Sequence, residues 1–205
     1  NGVWQWNEAP LDEFKADICR PDGMQLPTQS LIAREDEYVF MPPRALGVSG
    51  SVVDAKTKEP ITKFRVTPGL RNSDPRIRMN WIPGDSYEAT DGEYRIRFTH
   101  AYPAHLVRIE AEGYRVAISR DVMTDEGEVD VDFELQPAED IAATILTAVG
   151  SPAANAKIAL GVAGSQISIN KGDINDQSTY ATRLDAAADG RFSIPARDEP
   201  FQLVI

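Results

Sequence analysis

The sequence is poor in the residues that carry reactive chemistry. Of 205 residues, one is cysteine (Cys19) and two are histidine (His100 and His105). A lone cysteine forbids an intrachain disulfide, which fits a reduced compartment and equally a bacterial exported protein that uses none. Nucleophilic catalysis needs a nucleophile, a base and an orienting group in mutual reach. No Gly-x-Ser-x-Gly elbow occurs, and both histidines fall in one short segment, THAYPAHL. Zinc needs three or four His, Cys or carboxylate ligands. His100 and His105 are five positions apart and would face opposite ways on an extended strand. They read as surface-loop histidines, and the chain reads as a non-enzyme without a cofactor.

Positive charge and long apolar runs are also scarce. Lys and Arg number 21 against 32 Asp and Glu, for a net charge of −11. Such a surface repels phosphate backbones and argues against nucleic-acid partners. No basic patch suggests a membrane surface, and no apolar run approaches the ~18 residues a spanning helix needs. No signal peptide opens the sequence. The chain begins at Asn1 and stops inside the apolar FQLVI, so it reads as a piece of a longer protein.

What is present is alternation. Hydrophobic residues make up 42% and charged residues 26%, enough to bury a core. Residues 90–98 read TDGEYRIRF, an Asp-Gly turn followed by apolar Tyr94, Ile96 and Phe98 alternating with Arg95 and Arg97. Period two after a turn that tolerates positive φ marks a hairpin strand with one buried face. The same device recurs at 188–196, ADGRFSIPA. It is therefore architectural, with Arg95 and Arg97 on the solvated face.

Longer echoes surround it. VSGSVVDAKTKEPITKFRVTPG (48–69) matches IAATILTAVGSPAANAKIALGV (141–162), and PAHLVRIEAEGY (103–114) matches PFQLVI (200–205). FKADICRPDGM (14–24) resembles LVRIEAEGY, and EYVFMP (37–42) resembles DFELQP (132–137) as an alternating strand ending in Pro. KADIC and AEDIAATILTAV have helix-like composition, but their alignment with strands favours strand. The chain thus divides into 1–45, the C-terminal part of a preceding β-sandwich module; 46–137, a complete module; and 138–205, a second module, truncated. The period is roughly 93 residues, the size of a small β-sandwich. In TDEGEVDVDFE (124–134), Val129, Val131 and Phe133 point inward and Glu128, Asp130 and Asp132 outward, as on a charged edge strand.

Gly50, Val52 and Asp54, then Pro60 and Ile61, then Thr90, Asp91, Gly92 and Tyr94, then Gly113 and Tyr114 form a pattern. It resembles the carboxypeptidase regulatory-like domain, related to collagen-adhesin B-type repeats. Lys58 stands where that family usually has Gly. In residues 138–205 the match is looser, with Ala143 and Thr147 replacing Gly50 and Asp54. The resemblance implies an all-β fold of tandem Greek-key, prealbumin-like β-sandwich modules with no active site of their own. It implies a structural or interaction module of a larger extracytoplasmic bacterial protein, binding polysaccharide or a cell-surface protein. The alternatives are a carbohydrate-binding module that uses loop aromatics, and an accessory domain of a peptidase or hydrolase. The adhesin relation also raises a Lys–Asn or Lys–Asp isopeptide bond. Lys63 with Asp132 is a formal pair, but nothing in the pattern buries both.

Two long loops, 70–87 and 163–181, occupy the same place in the two modules, where loops are more often functional. The first carries Trp81 and Tyr87 beside Arg76, Arg78 and Asn80. Exposed rings beside polar groups suit sugar faces, so these five are the candidate ligand residues. The competing reading is that Trp81 folds back to cap the sandwich. The second loop, NKGDINDQ, offers Asp173, Asn175 and Asp176 as oxygen ligands for calcium, without the EF-hand spacing.

Overall fold

A computed structural model describes residues 4–34, 36–72, 79–163, 165–171, 173–174 and 181–205. The described chain is all β apart from two single 3-10 turns, Pro83–Asp85 and Thr124–Glu126. A short hairpin comes first, β1 (Phe14–Ala16) with β2 (Gln29–Leu31). Then follow β3 (Leu46–Asp54), β4 (Phe64–Arg71), β5 (Met79–Trp81), β6 (Tyr87–Ala89), β7 (Glu93–Phe98), β8 (Ala104–Glu110), β9 (Ala117–Ile118), β10 (Glu128–Asp130) and β11 (Phe133–Leu135).

These last nine strands make a Greek-key sandwich of prealbumin-like topology. In one sheet β3 is central, antiparallel to β7 on one side and parallel to β10 and β11 on the other. In the other, β4 pairs with β5 and β6 on one side and β8 on the other, and β9 closes the row. The inward residues of both sheets share one core: Leu46, Val48 and Val52; Phe64 and Val66; Tyr94, Ile96 and Phe98; Val107 and Ile109; Phe133 and Leu135. The alternation in EYRIRF does what it predicts, with Tyr94, Ile96 and Phe98 buried and Arg95 and Arg97 exposed.

The motif glycines and prolines have local reasons. A Cβ on Gly50 would collide with the Val131 carbonyl, which the Tyr94 hydroxyl donates to at 2.6 Å. Gly92 has φ +82 and Gly190 φ +77, the left-handed backbone an Asp-Gly turn needs. A Cβ on Gly92 would sit 2.9 Å from Pro60, and one on Gly190 3.4 Å from Pro152. The same turn packs on the equivalent proline in both halves.

Beyond the first sandwich lie β12 (Ile141–Thr144), β13 (Lys157–Val162), β14 (Ile169–Asn170), β15 (Asp173–Ile174), β16 (Thr182–Asp185), β17 (Arg191–Ile194) and β18 (Phe201–Val204). β12 pairs with β17, as β3 does with β7. β13 lies between β16 and β18, as β4 lies between β6 and β8. This second sandwich has its own core of Ile158, Leu160, Ala186, Phe192 and Ile194. β14 and β15 form a small hairpin inside the 163–181 loop.

One expected strand is absent. EYVFMP has no strand pairing, unlike its counterpart β11. β11 exists because β3 offers it a parallel edge, and no described strand offers residues 37–42 such an edge. Instead Tyr38 stacks on Phe40 and its hydroxyl bonds the backbone of Ile32. The preceding segment docks on the first sandwich. The Gln25 amide donates to the Thr99 carbonyl at 2.6 Å, Met24 is fully buried, and the Asp22 carboxylate accepts from the amides of Met24 and Ala45.

Candidate functional site

Trp81 is not an exposed ring. It lies in β5 opposite Gly69, and it is 1% exposed. A Cβ on Gly69 would come within 2.6 Å of the indole, so only glycine lets the ring lie flat on the sheet. The Arg108 guanidinium sits 4.7 Å from the ring centroid, and Leu106 and Val162 pack around it. The indole faces are covered by protein and take no sugar in this arrangement. Asn80, its neighbour in β5, is half-buried, and its side chain points to the opposite side of the strand. Arg76 and Arg78 lie outside the described residues, as do Asn175 and Asp176. Asp173 is an exposed residue of β15. Among the described residues no group of three or more His, Cys, Asp or Glu side chains could hold a metal ion.

Tyr87 has a different office. Its hydroxyl accepts from the Arg95 amide at 2.9 Å and donates to the Arg95 carbonyl at 3.0 Å. Among the described residues β7 pairs with β3 on one side only, and Arg95 turns its backbone groups outward on the other side. A phenol from the opposite sheet therefore fills one rung of an open edge. Burial is the main reason its hydroxyl is held above the ordinary tyrosine range.

The histidines part company. His100 is exposed, but His105 is 1% exposed, contrary to the surface-loop reading. β8 begins at Ala104, so His105, Val107 and Ile109 share the inward face. Its ring packs 4.3 Å from Phe98. The Thr124 hydroxyl donates to the Tyr102 carbonyl at 2.7 Å, so at 3.2 Å from His105 Nε2 it must accept. That fixes the neutral tautomer with its proton on Nε2 and leaves Nδ1 a buried acceptor without a partner among the described residues. Burial first, and then the charge of His100, pushes its pKa down to about 4. Cys19 is exposed and free, in an isolated bridge with Gln25.

The outward face of β8 holds a feature that alternation alone did not reveal. Leu106, Arg108 and Glu110 should be solvated, yet β8 is buried on both faces. The second sandwich covers it. Arg197 Nη2 donates to Glu110 Oε1 at 3.1 Å, and Arg108 Nη2 lies 3.3 Å from Glu110 Oε2. Arg108 also donates to the Thr182 hydroxyl at 3.2 Å, and Glu199 lies 3.7 Å from Arg197. The side chains of Arg108, Glu110 and Arg197 are 3%, 6% and 1% exposed. Burial lowers the pKa of Arg108 and raises that of Glu199, the latter opposed by the two arginines. Nearby, the Val116 amide donates to the Ala196 carbonyl at 2.8 Å, and Arg115 pairs with Asp198.

Two clefts open beside the free edge of β7. The larger, about 740 Å³, lies over polar side chains of the β3 sheet, among them Ser49, Ser51, Asp130 and Asp132. Those carboxylates are satisfied locally: Ser49 donates to Asp130, and the Ser51 amide and hydroxyl donate to Asp132. The smaller, about 300 Å³, is amphipathic, with Leu70, Ile96 and Phe98 below and Tyr87, Tyr102 and Arg97 at the mouth.

No family model matches the chain, and no curated protein resembles it significantly. Solved structures give distant likenesses. A streptococcal ancillary pilin is 10% identical over 96% of this chain and 72% of its own, with TM-score 0.32. The shaft pilin SpaA of Lactobacillus rhamnosus GG is 11% identical over 78% of this chain and 88% of its own, with TM-score 0.29. A Bacteroides uniformis protein provisionally described as carbohydrate binding is 16% identical over 78% of each chain, with TM-score 0.29. At such identities and TM-scores these likenesses carry no functional argument.

Proposed function

We propose that the chain is a non-catalytic structural and interaction module of a larger extracytoplasmic bacterial protein. It is built of tandem carboxypeptidase regulatory-like repeats, divided at 1–45, 46–137 and 138–205. Its work is to hold adjoining sandwiches in a fixed relation and to present their edges to a polysaccharide or a cell-surface protein.

The observation that carries this reading is the Arg108–Glu110–Arg197–Glu199 cluster, whose Arg108 lies over Trp81. Flexible linkers leave charges in water. Here charges from both sandwiches are desolvated together, which is tolerable only while the partners stay in register. The pairing sets one relative orientation and disfavours others, as a spacer requires.

Small-angle scattering tests it. Wild type is expected to scatter as one rigid body. Arg197→Ala, which strands the Glu110 carboxylate, is expected to increase the maximum dimension and bring early proteolytic cleavage near residues 136–140. A wild-type chain already scattering as two independently moving bodies would overturn the reading. A catalytic domain joined to these modules in the parent protein would favour the accessory role in a hydrolase instead.

A further inference from the structure

We propose that the smaller cleft binds a carboxylate-bearing sugar ring, a uronic acid residue of an acidic polysaccharide. This rests on the polysaccharide-presenting part of the function proposed above and is independent of the spacer role, which scattering tests separately.

The cleft has the make-up of a small-ligand site: an apolar floor, two aromatic walls and a few polar groups at the mouth. Its volume, about 300 Å³, suits a ligand of monosaccharide size. Leu70, Ile96 and Phe98 are buried below. Tyr87 and Tyr102 are 38% and 36% exposed, so part of each ring is open to a C–H face of a pyranose. Both walls are held in place. Tyr87 is clasped to the Arg95 backbone through its hydroxyl, and the Tyr102 backbone is held by Thr124, itself held by His105. Fixed walls lower the ordering cost of binding.

Charge selects the ligand. The chain carries a net −11, yet Arg95 and Arg97 both line this cleft. Among the described residues neither guanidinium has an ion-pair or hydrogen-bond partner, whereas Arg65, Arg71, Arg115 and Arg120 are each paired with a carboxylate. Two strand positions apart, they project on one side about 7 Å from each other. One carboxylate and an adjacent ring oxygen span that gap, and guanidinium forks suit carboxylates. Among the described residues Asp85 is the one carboxylate lining the cleft, placed to accept from a sugar hydroxyl. His105 in the wall is neutral near pH 7, so it adds no charge to that of the two arginines.

The test is a titration of the 205-residue chain with trigalacturonate, followed by amide NMR and calorimetry in about 0.1 M salt, where exposed charges are still felt. Saturable shifts are expected at residues 95–100 and at Tyr102. Arg97→Ala and Tyr102→Ala, checked for unchanged melting, should each bind roughly tenfold more weakly, while Arg191→Ala in the second sandwich should bind as wild type. Maltotriose, neutral and of equal length, should bind at least about tenfold more weakly. No saturable shift with trigalacturonate overturns the proposal. So do equal affinity for maltotriose, the same shifts from acetate alone, or folded Arg97 and Tyr102 variants that bind as wild type.

Discussion

The Tyr114 hydroxyl donates to the Asp54 carboxylate at 2.9 Å, across 60 residues of sequence. The other carboxylate oxygen accepts from the amides of Lys56 and Thr57, at 2.7 and 2.9 Å. One side chain therefore shapes the turn after β3 and ties it to the turn after β8, where Gly113 has φ +78. Amide donation from Thr57 and Lys56, with Tyr114 behind, holds the Asp54 pKa below its ordinary value. Tyr114→Phe should keep the ring packing and lose the tie. A fall in Tm of about 2–4 °C is expected, read by calorimetry at pH 7. The deficit should shrink as the pH falls and protonates Asp54, because a lowered carboxylate pKa stabilises the fold only while the group is ionised, and that contribution is lost as the pH falls through the folded-state value.

Lys58 has φ +63 in the first module, and Gly150 at the corresponding turn position has φ +83 in the second. A side chain with a Cβ is strained there, and glycine is not. Lys58 pairs with Glu134 at 2.6 Å, but both side chains are more than half exposed, so the pair contributes little. Lys58→Gly should therefore stabilise the protein by ~0.5–1 kcal/mol in urea unfolding. A loss of stability would mean that the ion pair outweighs the strain.

His105 makes stability depend on pH. In the unfolded chain it takes its proton near 6.5, and in the folded protein only at about 4. Between those values the unfolded state binds more protons, so stability is lost as the pH falls through that window. His105→Gln should be less stable at pH 7, through lost ring packing. It should also show a flatter decline between pH 6.5 and about 4 than wild type. Parallel declines in the two proteins would place the histidine's titration elsewhere.

Tyr87→Phe should remove the clasp on β7 while leaving the ring in place. The Arg95 amide should then exchange roughly five- to tenfold faster in hydrogen-exchange NMR, the loss of one net hydrogen bond. Light scattering should show more self-association, because an uncovered edge recruits other strands. Unchanged exchange at Arg95 would show that the tyrosine is not what protects this edge.

Much of the fold was legible because strands alternate and turns have their own chemistry. TDGEYRIRF and ADGRFSIPA announced their buried faces, and the Asp-Gly and Pro pairs marked equivalent turns before any pairing was known. EYVFMP misled because alternation states only that a segment can be a strand, and a strand also needs a neighbour. LVRIEAEGY misled in the opposite sense. Read as an alternating strand it gave no sign that its second face is covered, and only the docking of the second sandwich buries Arg108 and Glu110.

The site was less legible. Trp81 looked like a loop aromatic because sequence distance from the strands says nothing of Gly69 beneath it or Arg108 above it. Tyr102 and His105 gave no signal beyond their residue types, and Arg95 and Arg97 read only as a solvated face. Local sterics and period two made legible in the sequence the Asp-Gly turns with positive φ and the apolar side of the strands that follow them. Folding in three dimensions set which polar side chains are desolvated, which edges stay open and which arginines, among the described residues, pair with a carboxylate. Those depend on what another part of the chain places within a few ångströms, and no local pattern encodes that.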